Sequence, residues 1–510
     1  MKLPSFADTV VVGGGTSGAA VAGLLAEYGN GSVLVLEAGP DYGPFGGGGW
    51  PADLLDAAAL GYTEDWGYSS EETYADRVIG FERARVIGGC SSHNGCAAIW
   101  GSRVDYDGWL ALGLAGWSAD ELLPLFREAN RRMRVRSYRR EEITPFHDAC
   151  LRAATEAGIP AADVLNDLDA DEGIAASPVN IVDGVRWNAA FAYLDPVRHR
   201  PGLTILGKTA VSHVIIDRER VTGVAVVMPS GIETVAAGRV VVSAGAYESP
   251  AILLRSGIGD PDTLRAVGVE PRHPLPGVGQ NLHDHPSVRL AFAGSPELIR
   301  RMEAVAGERW MPEEQTIAKL RSPLYPSDQA GFDLHVYPVG GPEPGDGGWH
   351  WYVPVACMTP RSRGSVSLRS PDPLDRPRID HRYQSDPDGH DAAVLAAGLE
   401  IARDIAACST LTDLLGTEIE PGPEVRTPDT VAAWVRRTGE HYYHPVGTCK
   451  MGLADDPMAV CDPRGKVYGV DNLYVADCSL MPVIPRANTN IPAVVVGERI
   501  GRLLLDGNTS

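Results

Sequence analysis

The apolar residues near the start of the chain run unbroken and then stop on glycine. Val10, Val11 and Val12 are consecutive and β-branched, the pattern of a parallel strand covered on both faces. Gly13, Gly15 and Gly18 follow with G-x-G-x-x-G spacing. Ala19, Ala20, Val21, Leu24 and Leu25 form the apolar face of a predicted helix, and Val33–Leu36 read as a second buried strand ending at Glu37. The first glycine allows a tight turn, the second lets a pyrophosphate approach the backbone, and the third lets the helix pack close to the strand. Glu37 lies about 20 residues beyond, where a carboxylate accepts a ribose 2′-OH. Gly13, Gly15, Thr16, Ser17, Gly18, Glu37 and Ala38 are therefore expected to hold a dinucleotide.

Further along, the pattern predicts a helix over 118–134, with Ser118 as N-cap and apolar positions 122, 123, 125 and 126. Residues 203–227 alternate as paired strands around a polar turn at Asp217–Arg220, and 240–244 read as another buried strand. An amphipathic helix is expected over 389–407 and a last helix over 491–506, with Pro492 near its start. Residues 40–80 are a Gly-, Pro- and aromatic-rich connection too long to be idle, and are expected to cover a site, with Trp66 as a wall near the ligand.

Composition narrows the function classes. The 510 residues are 44% hydrophobic and 22% charged, enough for two lobes or one large α/β body. A formal charge of −21 argues against nucleic acid, which needs clustered Lys and Arg. The eight cysteines form no C-x-x-C and no zinc spacing with histidine, so no metal site is expected, and they read as reduced thiols. No run of about 18 apolar residues predicts a membrane span, and no apolar leader precedes the first strand. A cytoplasmic location is the expectation.

Chemistry concentrates in residues 83–109, where Gly88, Gly89 and Gly95 bracket Ser91, Ser92, His93 and Asn94. Such a backbone comes close to a ligand and presents small polar groups to it. The opening VVGGGTSG…LEAG, then GGCSSHNGC, GAYESPAILLRSGIG (245–259), VGQNLHDHP (278–286), YHPVGTCKMG (443–452) and VADCSLMPVIPRANTNIPAVVVGERI (475–500) occur in that order. In these motifs the chain resembles the glucose–methanol–choline (GMC) oxidoreductases, over nearly its whole length, and within them the choline oxidase branch.

The resemblance implies an α/β fold: a Rossmann-like FAD-binding lobe from about 1–150, 200–290 and 440–510, and a substrate lobe with a mixed β-sheet and helices from about 151–199 and 291–439. It implies an FAD-dependent oxidase that takes a primary alcohol to an aldehyde, with O2 as acceptor. Alternatives are a dehydrogenase using another acceptor, or a non-redox member such as a lyase or photodecarboxylase. Alcohol oxidation needs a base, a hydride acceptor and a stabilised alkoxide. His444 in HPVGT matches the family's catalytic histidine, and a neutral imidazole suits the base. Asn490 in NTNIP is expected opposite it, holding the alcohol oxygen, with Asn488 or Asn490 open to helix capping.

His93 matches the histidine that carries the flavin covalently in that branch. Gly95 departs, since a serine faces the substrate there. Gly88, Gly89, Ser92, Asn94, Gly95, Val211, Asp477, Cys478 and Ile491 complete the expected cofactor contacts, and Tyr443, Tyr337 and His335 the substrate pocket. A cation-binding carboxylate has four candidates, Glu303, Glu308, Glu313 and Glu314, and no motif selects one. The expected partners are a small alcohol and O2 or another acceptor, with a homodimer as the candidate assembly and neither nucleic acid nor membrane.

Overall fold

A computed structural model describes residues 3–71, 77–343 and 348–507. The apolar run becomes strand β1 (Phe6–Val12), the glycines the turn into helix α1 (Thr16–Tyr28), and the next run strand β2 (Val33–Leu36). β1 lies at the centre of a seven-stranded sheet. It pairs in parallel with β2 (Val10 opposite Leu34) and with Gly231–Val242 (Val10 opposite Val240). Leu203–Leu206 extends the parallel part beyond β2, and Leu473–Val475 joins it on the other side. Both faces are covered, which explains why these strands are continuously apolar rather than alternating.

The pairing expected over 203–227 is present for Ala210–Asp217 and Arg220–Met228, antiparallel, closing at Asp217 and Arg220. Its first residues leave for the far edge next to β2. Neighbouring strands in sequence are thus separated in space, which local alternation does not encode. The helix over Ala119–Arg132 begins as expected, with the Glu121 N–H donating to Ser118 Oγ and the Ser118 N–H to Glu121 Oε2.

The second sheet has eight strands, ordered Glu418–Glu420, Pro286–Phe292, Trp349–Cys357, Leu334–Val336, Thr316–Leu320 and Gly173–Ala176, with Val339–Pro342 and Glu440–His441 attached. Its strand pairs are antiparallel, with one parallel bridge between Ala161 and Ile174 at the edge. Helices Pro145–Glu156 and His390–Ala407 pack in its core, around Phe146, Leu334, Trp351 and Leu399. The chain returns from this sheet to the first at residues 440–475, and so carries residues 442–447 between the two cores. The last helix, α2 (Asn490–Asp506), lies against α1. All eight cysteines are free, and among the described residues no helix is long and apolar enough to cross a membrane.

Candidate active site

A continuous cavity of about 490 Å³ runs from the β1–α1 turn to the 442–445 segment. At its first end Gly13 has φ +94°, and a Cβ there would stand 2.5 Å from the Ser243 carbonyl oxygen. Only glycine permits that turn. The start of α1 faces the cavity through Gly15, Thr16 and Ser17, with no side chain capping it. Its free N–H groups and dipole favour a phosphate. Glu37 lies on the wall, its Oε2 accepting from the Gly14 N–H at 2.9 Å and its Oε1 from the Gly39 N–H at 2.8 Å. Burial raises its carboxyl above the ordinary carboxylate range, against these bonds. Ala38 and Val211 complete this end. Gly18 stands behind the turn, pressed against the Gly13 carbonyl.

The loop containing His93 docks on this turn. The Gly88 N–H donates to the Gly14 carbonyl at 2.7 Å, and the Ser91 N–H to Thr16 Oγ1 at 3.2 Å. Gly89 is left-handed (φ +55°), and a Cβ there would lie 2.7 Å from Gly15 Cα. Two glycine loops thus meet backbone to backbone. Gly88 and Ser92 brace the loop from outside the wall, with Ser92 Oγ donating to the Ile87 carbonyl, while Gly89, His93, Asn94 and Gly95 line the cavity. The His93 ring is buried and its Nε2 has no partner. Burial pulls its pKa down to about 4, so the imidazole is neutral. Trp66, stacked on Tyr68 at 5.5 Å, lies on the cavity wall, and residues 72–76 of the 40–80 connection lie outside the described residues.

At the other end stands His444. Its backbone N–H donates to Asp284 Oδ1 at 2.8 Å, and its Nδ1 lies 3.0 Å from Nδ1 of His285. One ring must donate to the other, which fixes the orientation of both. Burial, then the neighbouring His285 and Arg83, hold the His444 pKa well below the ordinary imidazole value. Burial also takes His285 down to about 3 and raises Asp284 to about 6. The tautomer in which His444 donates through Nδ1 leaves its Nε2 to take a proton.

The structure divides the two asparagines differently from the sequence expectation. Asn488 Nδ2 donates to the Tyr442 hydroxyl at 3.2 Å, and the Tyr442 ring lies 4.4 Å from that of His444. Asn490 Nδ2 instead donates to Asn180 Oδ1 at 3.2 Å. Both line the cavity, but Asn488 is the one beside the His444 cluster. Neither caps α2: Thr489 is the N-cap and makes no side-chain capping bond. Both amide oxygens are buried without a partner, and no motif shows which asparagine lies beside the His444 cluster.

Tyr337 lines the cavity, stacked on Tyr442 at 4.3 Å. His335 does not reach the wall. It is buried behind Tyr442, stacked on Phe332 at 5.5 Å, with neither ring nitrogen partnered. Tyr443 is 38% exposed at the mouth, its ring 4.2 Å from His441 and its carbonyl accepting from Arg83 at 2.9 Å. Its left-handed backbone (φ +64°) turns it away from Tyr442. Cys478 and Asp477 are on the wall, though both Asp477 oxygens already accept local bonds, from Gly245, Ser249 and Ser479. Ile491 is buried in the first core rather than on the wall. Tyr442 and His285 were not legible as site residues, and Asn488 was read only as a helix-capping candidate. Away from the cavity, Cys357, His390 and Asp391 stand close enough to share a metal ion among the described residues, but Asp391 already accepts the Arg361 and Ser362 N–H groups.

The glycine cradle, the uncapped α1 terminus and the unpartnered His93 Nε2 suit a flavin dinucleotide lying along the cavity. Comparisons with known proteins agree. The GMC oxidoreductase family models match residues 7–287 and 360–497. Choline oxidase of Arthrobacter globiformis is 34% identical, covering 98% of this chain and 94% of that protein. An oxygen-dependent choline dehydrogenase of Brucella canis is 33% identical, with 97% and 94% covered. Among solved structures, pyridoxine 4-oxidase from Mesorbium loti superposes with a TM-score of 0.85 at 28% identity, over 97% of this chain and 98% of that one. Formate oxidase shares the fold, with a TM-score of 0.85 at 24% identity over the full length of both chains. The chain belongs to the GMC oxidoreductases and is an FAD-dependent oxidoreductase acting on CH–OH groups.

Proposed function

We propose that the cavity oxidises a primary alcohol to its aldehyde, with His444 as the base. The observation that carries this reading is the buried, neutral His444 imidazole, held through its backbone by Asp284 and through Nδ1 by His285, on the wall of the cofactor cavity. The bound flavin supplies the hydride acceptor. His444 takes the hydroxyl proton at Nε2 while its Nδ1–H donates to His285. Asn488, whose amide nitrogen gives one N–H to Tyr442 and keeps a second, donates that second N–H to the alcohol oxygen. Asn490 belongs to the cofactor side of the wall. Tyr442 and Tyr337 give the substrate an apolar face that excludes water.

The Gly13–Gly18 turn and Glu37 hold the adenosine diphosphate end. His93 is the residue for a covalent flavin link. The Tyr62 backbone hydrogen-bonds its ring, which leaves the lone pair on the unpartnered Nε2. The acceptor is O2, as the names of the choline oxidase and oxygen-dependent choline dehydrogenase relatives indicate for those proteins. The eight free thiols support a reducing, cytoplasmic compartment.

The test is anaerobic mixing of purified protein with alcohols, followed by admission of air. Bleaching of the oxidised flavin's visible absorption and its return with oxygen uptake is the expected result. Bleaching that air does not reverse, but an artificial acceptor does, moves the assignment to a dehydrogenase. No bleaching with any alcohol overturns the reading.

A further inference from the structure

One strand of the second sheet ends on a sulfur. Cys357 closes the strand Trp349–Cys357 and is fully buried. The helix His390–Ala407, which packs in the core of the same sheet, starts at a left-handed Gly389 (φ +64°). His390 and Asp391 are its first two residues. The Cys357 sulfur, a His390 ring nitrogen and an Asp391 carboxylate oxygen lie within 4.8 Å of one another. None of the three lines the cavity that holds His444. Linear spacing does not find this set, because the sulfur and the His–Asp pair come from different elements.

Asp391 is fully buried as well. Its Oδ1 accepts the Arg361 N–H at 2.7 Å and its Oδ2 the Ser362 N–H at 3.0 Å. These bonds aim the carboxylate and leave a lone pair on each oxygen, as outer partners of a metal ligand do. Arg363 stands close enough to feel the charge, yet directs its donors to Asn281 Oδ1 and to the Pro360 and Ser362 carbonyls. A second buried carboxylate near the sulfur, Asp333, is occupied by the Ser322 N–H and hydroxyl. Buried charges are paired or hold a metal. Thr359 hydrogen-bonds the Cys357 sulfur through its backbone and hydroxyl, and its Oγ1 lies 3.4 Å from His390 Nε2. That hydroxyl touches two of the three donors. His390 is half-buried, which leaves an entry path from solvent.

We propose that Cys357, His390 and Asp391 bind a zinc ion that ties the end of this strand to the start of the helix. Sulfur, imidazole nitrogen and carboxylate oxygen are the ligand types of zinc, whereas magnesium and calcium take oxygen alone. Burial and the nearby carboxylates keep the Cys357 thiol protonated in the metal-free protein. Binding breaks the S–H bond, forms the S–Zn bond and releases the proton to solvent. Thiolate and carboxylate then cancel the double charge of the ion, so a neutral unit replaces a buried carboxylate. Water or the Thr359 hydroxyl completes the tetrahedron. The site is structural and independent of the alcohol chemistry.

The experiment uses the full-length, flavin-loaded protein, purified without chelator or metal-affinity resin. Elemental mass spectrometry should find about one zinc per chain. Stripping with a chelator and adding cobalt(II) should give a thiolate-to-cobalt charge-transfer band in the near ultraviolet. His390→Ala, at a half-buried position, and Cys357→Ser, close in shape, should each weaken zinc affinity by more than about 100-fold, beyond the roughly 10- to 100-fold that partners orienting a ligand are worth. Zinc returned to the stripped wild type should raise its melting temperature and leave that of His390→Ala unmoved. The flavin spectrum reports that each variant is folded. Protein that holds no zinc after growth in zinc-supplemented medium, and gives no charge-transfer band with cobalt(II), overturns the site. Zinc affinity unchanged in either variant overturns it too, by placing the ion elsewhere. A different metal at full occupancy overturns the assignment of the ion.

Discussion

Replacing His444 by glutamine tests the centre of the reading. Glutamine fills most of the imidazole volume but takes no proton. The backbone N–H of residue 444 still meets Asp284, so the loop keeps its anchor. The lost function is the positioned base, worth roughly 10²–10⁴-fold, or about 2.7–5.4 kcal/mol at 1.36 kcal/mol per decade. FAD content should stay nearly unchanged, because the glycine turn and Glu37 lie at the far end of the cavity. The assay is anaerobic stopped-flow reduction with a saturating neutral alcohol, with FAD content measured from absorbance. The pH profile adds a second readout. Burial, His285 and Arg83 hold the His444 pKa well below 6.5. The base must be neutral to act, and protonation destroys it. The wild-type rate should therefore hold its level as pH falls through 6.5 and decline only further down, near or below the point at which Asp284, raised to about 6, gains its proton. A loss below about threefold in His444→Gln, or a wild-type decline centred at 6.5 or above, would refute the argument.

Three further outcomes follow from the same geometry. Acid precipitation of the wild type should carry the yellow colour into the pellet, and His93→Ala should release it to the supernatant while FAD still co-purifies; colour in the wild-type supernatant removes the covalent link. Asn488→Ala should slow flavin reduction by about 10²–10³-fold, the scale of losing one positioned donor, and Asn490→Ala by less than about threefold; the reverse ranking in stopped-flow data restores Asn490 to the alcohol oxygen. Gly89→Ala places a Cβ 2.7 Å from Gly15 Cα on a left-handed backbone, and should lower stability by about 1–3 kcal/mol together with FAD content, read by thermal denaturation and absorbance; an unchanged melting temperature would show that the two loops are not tightly docked.

What the sequence determined by itself was local. The β1–α1–β2 unit was legible because every signal in it is short-range. Three consecutive valines, glycines at fixed offsets and a carboxylate at the end of the next apolar run each act on neighbouring backbone. The same holds for the Ser118 cap, the Asp217–Arg220 hairpin and the His93 loop between its glycines. His444 was legible through a motif whose proline and glycine fix one tight segment.

Tertiary structure decided which of these local pieces meet. His285 and His444 are 159 residues apart and come within 3.0 Å only because the strand Pro286–Phe292 pairs with Glu440–His441. Asn488 and Asn490 are equivalent in composition, and the start of α2 alone sets which amide reaches Tyr442. Four glutamates were indistinguishable along the chain. Glu303 and Glu308 lie on a helix, whereas Glu313 and Glu314 were carried to the cavity by the strand after them, where burial sets them apart chemically and leaves Glu314 Oε1 without a partner. The physical reason is the same in each case: backbone propensity is settled within a few residues, while desolvation and charge pairing depend on neighbours that only the closed fold supplies.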